Sequence, residues 1–168
     1  MSALDEFHKD KDDFFKNDPQ SPLSAEQKRA FAGLNYYPED PALLLELQLE
    51  KTAAPRPVIL TTSTGEAREY LHVGQIRFDV SGQQAVLQVY RDDYGYFLPF
   101  VDATAPGETY GAGRYLEPHD LGSETLQVDF NLAYNPYCAY NERWSCPLPP
   151  QENRLKVRIA AGEKKFHD

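Results

Sequence analysis

The stretch ETYGAGRYLE, from Glu108 to Glu117, brings two glycines, a guanidinium and two phenol rings together. Gly111 and Gly113 tolerate positive φ, so successive backbone N–H groups there could form an anion-holding concavity, with Tyr110 beside it. Arg114 adds a planar fork whose geometry matches carboxylate or phosphate. The same residues also suit a tight loop whose arginine pairs with an internal acid, such as Glu108 or Asp129. A short glycine motif does not by itself separate the two readings.

Further polar groups follow. In DFNLAYN, strand alternation places Asp129, Asn131 and Ala133 on one face, and Phe130 and Leu132 on the other. Either a half-solvated sheet or a polar pocket wall accounts for that pattern. Tyr134 and Asn135 close the strand end, where irregular chain gathers functional groups. In PPQENRL, Arg154 is a second guanidinium, favoured as a tether for the preceding loop and alternatively an anion ligand. In AAGEK, Glu163 and Lys164 read as a solvated charge pair at a strand end, with Glu163 the better candidate to enter a site. No nucleophile elbow, HExxH or Walker A loop occurs. Glu108, Asp129 and Glu152 are the carboxylates left to act as acid or base, if the fold pairs them.

Cys138 and Cys146 are the two cysteines. Their spacing is not CxxC, and reduced structural thiols are the favoured reading, ahead of a redox or disulfide pair. A zinc site comes last, because no further ligands are evident, and no metal is expected.

The elements that must hold these groups fall into two parts. LDEFHKDKDDFF spaces Leu4, Phe7, Phe14 and Phe15 along one helical face. Ser24 and Gln27 form a capping box for a second, short helix that Gly33 ends. From Pro41 the period changes to two: Leu43, Leu45, Leu47 and Leu49 alternate with Leu44, Glu46, Gln48 and Glu50. The runs PVILTT, REYLHV, QIRFDV, AVLQVYR, GYFLPFVD, RYLE, TLQVDFNLAY and RLKVRIAAG follow, most of them divided by the turn signals STGE, VGQ, SGQQ and RDDYG. The expectation is a mainly β fold, a small antiparallel barrel or half-barrel with one or two N-terminal helices. Residues 1–168 form one domain, with a helical segment 1–33 packed on a β domain 41–164. Residues 135–153 form a long, ordered, Pro/Tyr-rich loop anchored by Tyr137, Tyr140 and Trp144, of the kind that is often functional. Asn135–Pro136 is a candidate cis bond.

Composition narrows the partners. With 26 acids against 17 bases, the net charge of −9 repels phosphate backbones, which excludes nucleic acid as the expected partner. No apolar run reaches the roughly 20 residues needed to span a bilayer, and the acidic start lacks a secretion signal. A cytoplasmic protein without membrane partners is expected; its oligomeric state is left open, a homodimer included.

The blocks PFVDATAPGETYGAGRYLE and VDFNLAYNPYCAYNERWSCPLPPQENRLKVRIAAGEK resemble the DUF1684 family of uncharacterised bacterial and archaeal proteins. The match runs from Phe100 to Lys164 through E-T-Y-G-x-G-R-Y-L, D-F-N-x-A-Y-N-P-x-C-A-Y, C-P-L-P-P-x-E-N-R-L and A-G-E-K. SPLS, GLNYYP and G-x-I-x-F extend it upstream. The resemblance implies no established activity. The architectural alternative is the split barrel that binds flavin, although no flavin motif aligns.

Three functions therefore compete. The first is a domain binding a small anionic or polar ligand between barrel and loop. In it, Gly111, Gly113, Arg114 and Arg154 meet the anion, Tyr110, Tyr134 and Trp144 form an aromatic wall, and Asn131 and Asn135 orient the ligand. The second is an enzyme, either a hydrolase using a carboxylate or an oxidoreductase with flavin as cofactor. The third is an interaction module whose motifs serve as internal scaffold.

Overall fold

The alternating stretch after Pro41 folds into two antiparallel sheets. The computed structural model describes residues 2–167, so Met1 and Asp168, the outermost positions of the expected domain, lie outside the described residues. The strands are β1 (Leu44–Gln48), β2 (Glu50–Thr61), β3 (Ala67–Val80), β4 (Gln83–Asp92), β5 (Gly95–Phe100), β6 (Arg114–Leu116), β7 (His119–Gly122) and β8 (Thr125–Asp129). One sheet runs β2-β3-β4-β5-β6 and the other β1-β8-β7. Together they make the expected half-barrel rather than a closed barrel.

Period-two alternation builds a main core between them. Ile76 and Phe78 of β3, Leu87 and Val89 of β4, Leu98 and Phe100 of β5, and Leu126 and Val128 of β8 all point into it. Residues of the opposite parity form a second cluster: Tyr90, Phe97 and Tyr115, with Leu60, Tyr70 and Cys146.

Three expected boundaries are corrected. REYLHV and QIRFDV are one strand, because VGQ makes a β-bulge at Gly74 rather than a turn. A Cβ at Gly74 would lie 2.4 Å from the Glu50 carbonyl, so the passing β2 backbone demands glycine there. TLQVDFNLAY does not continue as a strand beyond Asp129. Its carboxylate accepts the Asn131 N–H at 3.0 Å and opens a 3-10 turn over Phe130–Leu132. As a result Phe130 and Asn131 are both buried and Leu132 is exposed, in place of the two-faced pattern expected. RLKVRIAAG forms no strand ladder, although it buries Val157, Ile159 and Ala161 in strand-like alternation.

Both helices form at their expected starts, but the second ends at Ala30, where Phe31 turns extended, and not at Gly33. α1 (Ala3–Asn17) starts at a capping box of Ser2 and Asp5, and α2 (Ala25–Ala30) at the expected box of Ser24 and Gln27. Phe15 buries its ring edge-on against Tyr140, centroids 4.9 Å apart. That contact lays α1 beside the 135–153 loop. Among the described residues no helix is long and apolar enough to cross a membrane. The cis peptide precedes Pro106, not Pro136.

Candidate functional site

The motif ETYGAGRYLE divides at β6. Alternation sends Arg114 and Leu116 into the main core, and Tyr115 to the opposite side. Arg114 is only 1% exposed. It donates to the carbonyls of Ala161 and, at 2.9 and 3.1 Å, of Ile159 and Glu163, while its guanidinium lies 5.2 Å over the Phe100 ring. The acid that meets it is Asp102 at 3.3 Å, neither Glu108 nor Asp129. Asp102 in turn accepts the Ile159 N–H at 2.6 Å and the Thr104 hydroxyl at 2.8 Å. Thus the 155–161 segment pairs through its backbone with Val101 and Ala103 at Leu155 and Val157, and from Ile159 to Ala161 two buried side chains take over.

Gly113 serves the same packing. Its φ is +103°, and a Cβ would sit 2.5 Å from the Phe100 carbonyl and 2.9 Å from Pro149. Gly111 is exposed. Tyr110 is half-buried, its hydroxyl 3.6 Å from the Cys138 sulfur.

The amide candidates also face inward. Asn131 accepts the Asp40 N–H at 2.8 Å and donates to the Asp40 carbonyl at 2.9 Å, mimicking a strand partner. Asn135 donates to the Lys164 carbonyl at 3.0 Å. Arg154 is exposed, and its backbone pairs with Val101 at the exit of the loop. Asn153, passed over as a candidate, ties the loop more directly: it donates to the carbonyls of Gln88 and Pro99 at 3.0 and 2.7 Å.

The three carboxylate candidates sit in different surroundings. Glu108 is held by Arg158 and by the Tyr37 hydroxyl at 2.8 Å. Those two donors, Arg158 first, pull its carboxyl down to about 2. Asp129 caps the 3-10 turn, and Glu152 lies exposed in the turn at Gln151–Asn153. Among the described residues no hydrogen bond or ion pair joins any two of them.

Tyr134 and Trp144 do share a cleft. It encloses about 700 Å³ between α1, the start of the 135–153 loop and the second apolar cluster. Phe7 and Phe14 of α1 line it together with Tyr115, Tyr134, Tyr137 and Trp144, and Lys11, Arg68, Glu117 and Cys146 also lie at its walls. Tyr134 donates to Glu117 at 2.6 Å, and the Lys11 ammonium lies 5.2 Å over its ring. Burial, reinforced by the Glu117 carboxylate, pushes the Tyr134 phenol well above its ordinary range. Trp144 anchors its indole N–H on the Pro22 carbonyl at 3.2 Å. Arg68 is exposed and donates to the Ser145 carbonyl at 2.6 Å.

Glu163 corrects the expected solvated pair. It is 2% exposed, bound by Lys11 and by the Tyr140 hydroxyl. The signal for Lys11 was present in the sequence: it sits at i+4 from Phe7 on the apolar stripe of α1, where a cation needs a partner. Arg68 carried no comparable signal.

The molecule is thus a half-barrel β domain with an aromatic cleft under its N-terminal helix. The chain belongs to the family described as "Protein of unknown function (DUF1684)", whose model matches residues 29–164. It is similar, at 38% identity, to a protein of Haloarcula marismortui described as uncharacterised and solved by NMR in solution. That match covers 96% of this chain and 91% of the other, with a TM-score of 0.72. No curated protein matches the chain.

Proposed function

We propose that the protein binds a small molecule in the cleft between the sheet and the 135–153 loop, one with a flat apolar body and a polar or anionic end. The observation that carries this reading is the ring of aromatic side chains around about 700 Å³. That volume suits a small-molecule site, for which about 300–1,000 Å³ is usual. Aromatic side chains around an open space offer stacking surface to a planar ligand. Arg68 brings an exposed guanidinium to the rim, and a guanidinium has donors beyond the one that Ser145 takes. The family motif contributes indirectly: Arg114, Asn131 and Asn153 fasten the segments on which Tyr115, Tyr134 and the loop are mounted.

A thermal-shift and fluorescence screen tests this, with aromatic carboxylates, aromatic phosphates, nucleotides and FMN as probes. Trp144 is the single tryptophan, so a ligand in the cleft should change its emission while raising the melting temperature. Arg68→Ala should weaken an anionic probe roughly tenfold, the scale of one charge-assisted hydrogen bond. If Arg154→Ala abolishes binding and Arg68→Ala leaves it intact, the ligand lies elsewhere. If no probe class moves either signal, the cleft is not a small-molecule site.

A further inference from the structure

We propose that Cys138 and Cys146 form a two-cysteine redox site at the edge of the cleft, in which Cys138 reacts with a hydroperoxide and Cys146 closes an intramolecular disulfide onto it. Both residues are free thiols. The Cys138 backbone N–H points at the Cys146 sulfur, 3.3 Å away. With an N–Cα bond of about 1.46 Å, that sulfur lies within about 4.8 Å of Cys138 Cα, so rotation about the Cys138 side chain brings the two sulfurs together.

The surroundings divide the roles. Cys138 is half-buried on the 3-10 turn Tyr137–Ala139, with the Tyr110 hydroxyl 3.6 Å from its sulfur. Cys146 is buried, lines the cleft and is clamped at both ends of its peptide: its N–H reaches the Ser63 hydroxyl at 3.1 Å, and its carbonyl accepts the Ser63 N–H at 2.8 Å. Hydrogen bonding from the Cys146 thiol, helped by Tyr110 and Ser63, pulls the Cys138 thiol below its ordinary range. The same contact, together with burial, pushes Cys146 up. Cys138, the more exposed of the two, is therefore assigned the attacking role, and the buried Cys146 the resolving one. Among the described residues, no cluster of three or more His, Cys, Asp or Glu side chains forms that could hold a metal.

The chemistry balances in two steps. The Cys138 thiolate attacks the terminal oxygen of the hydroperoxide; an S–O bond forms, the O–O bond breaks, and the alkoxide leaves and takes a proton from water. Cys146 then attacks the Cys138 sulfenic acid; the S–S bond forms, the S–O bond breaks, and hydroxide leaves as water with the Cys146 proton. In total, two thiols and one hydroperoxide give one disulfide, one alcohol and one water. A dithiol reverses it by exchange.

The full-length reduced protein, treated with hydrogen peroxide, tests the site. The expected result is an intact mass lower by two hydrogens, loss of both alkylatable thiols, a change in Trp144 emission, and reversal of all three by dithiothreitol. Cys146→Ser should accumulate a dimedone-reactive sulfenic acid on Cys138, whereas Cys138→Ser should leave Cys146 unlabelled. Wild-type protein that keeps both thiols alkylatable, or that forms disulfide-linked dimers instead, overturns the proposal without recourse to any variant. Equal dimedone labelling of the two single variants overturns the division of roles.

Discussion

The ammonium of Lys11 contacts the buried carboxylate of Glu163 across 152 residues of sequence, and the Tyr140 hydroxyl donates to the same group. Three distant parts of the chain therefore meet at one carboxylate: α1, the long loop and the C-terminal AAGEK block. Lys11 also lines the cleft, so the pair that docks the helix sets one wall of the candidate site. An open cleft needs walls that do not collapse, and an ion pair flanked by Phe15 and Tyr134 rings supplies one.

Lys11→Met should cost about 1–3 kcal/mol, because it removes one of two partners of a buried carboxylate. Glu163→Gln should cost a similar amount, and the double variant less than the sum, since each change removes the same contact. Urea unfolding of the four proteins measures the coupling. Strict additivity would show that the pair contributes nothing to docking α1.

Arg114→Ala should be among the most disruptive substitutions in the chain. It leaves Asp102 buried without its cation and strips donors from three carbonyls at Ile159, Ala161 and Glu163. Breaking such a pair costs about 3–5 kcal/mol, which for a chain of this size lowers the melting temperature by roughly 10 °C. Arg114→Lys should recover little of this, because one ammonium cannot span the same fan of acceptors. Differential scanning calorimetry decides; a loss under about 1 kcal/mol would contradict the burial of the pair.

These contacts show what periodicity does and does not encode. The alternation in RLKVRIAAG marks an extended segment with one buried side, and Val157, Ile159 and Ala161 take that side. Alternation is silent about which groups satisfy the backbone, and here Asp102 and Arg114 take over part of what a strand would do. Local chemistry was legible where it acts locally: the Ser24–Gln27 box and the turn at Ser81–Gly82 formed as their residues require, whereas the apolar stripe of α1 buries Phe15 and leaves Phe7 exposed. Asp129 misled because its cap acts on the residue two ahead and ends the strand that the apolar pattern extended. Within the cleft, Tyr137 and Trp144 were legible as aromatic anchors of the loop, and Tyr134 as the aromatic residue that closes the strand end before it. Arg68 was not, and Tyr115, although part of the opening motif, was not assigned to a wall, since both reach the cleft only through the register of β3 and β6.

Acid stability should report Glu108. Its carboxyl is depressed to about 2 by Arg158 and Tyr37, below the ordinary value of about 4.3 that it has unfolded. A group depressed in the folded state stabilises above its unfolded value and loses that contribution as pH falls through the folded one. The stability difference between wild type and Glu108→Gln should thus be constant near neutrality and shrink between about pH 4.5 and 2. Chemical denaturation across that range checks it. A difference that grows on acidification would reverse the sign and refute the pairing.

Two glycines with positive φ separate conformational cost from crowding. Gly65, at φ +88°, has open space where a Cβ would stand, so Gly65→Ala meets only the left-handed backbone penalty, about 1–2 kcal/mol. Gly113, at φ +103°, would drive a Cβ into the Phe100 carbonyl, Val101 and Pro149 together. Two of those neighbours are flexible side chains or rings, but the carbonyl belongs to the end of β5 that pairs with Arg114 of β6. Relief by moving that carbonyl would shift Arg114 away from Asp102. Gly113→Ala should therefore cost at least about 2 kcal/mol more than Gly65→Ala. It should also expose Arg114 and loosen the Tyr115 wall of the cleft, visible as faster amide exchange at Arg114–Leu116. Equal stability of the two alanine variants would show that the β5–β6 junction yields without strain, and that GAG is a turn motif only.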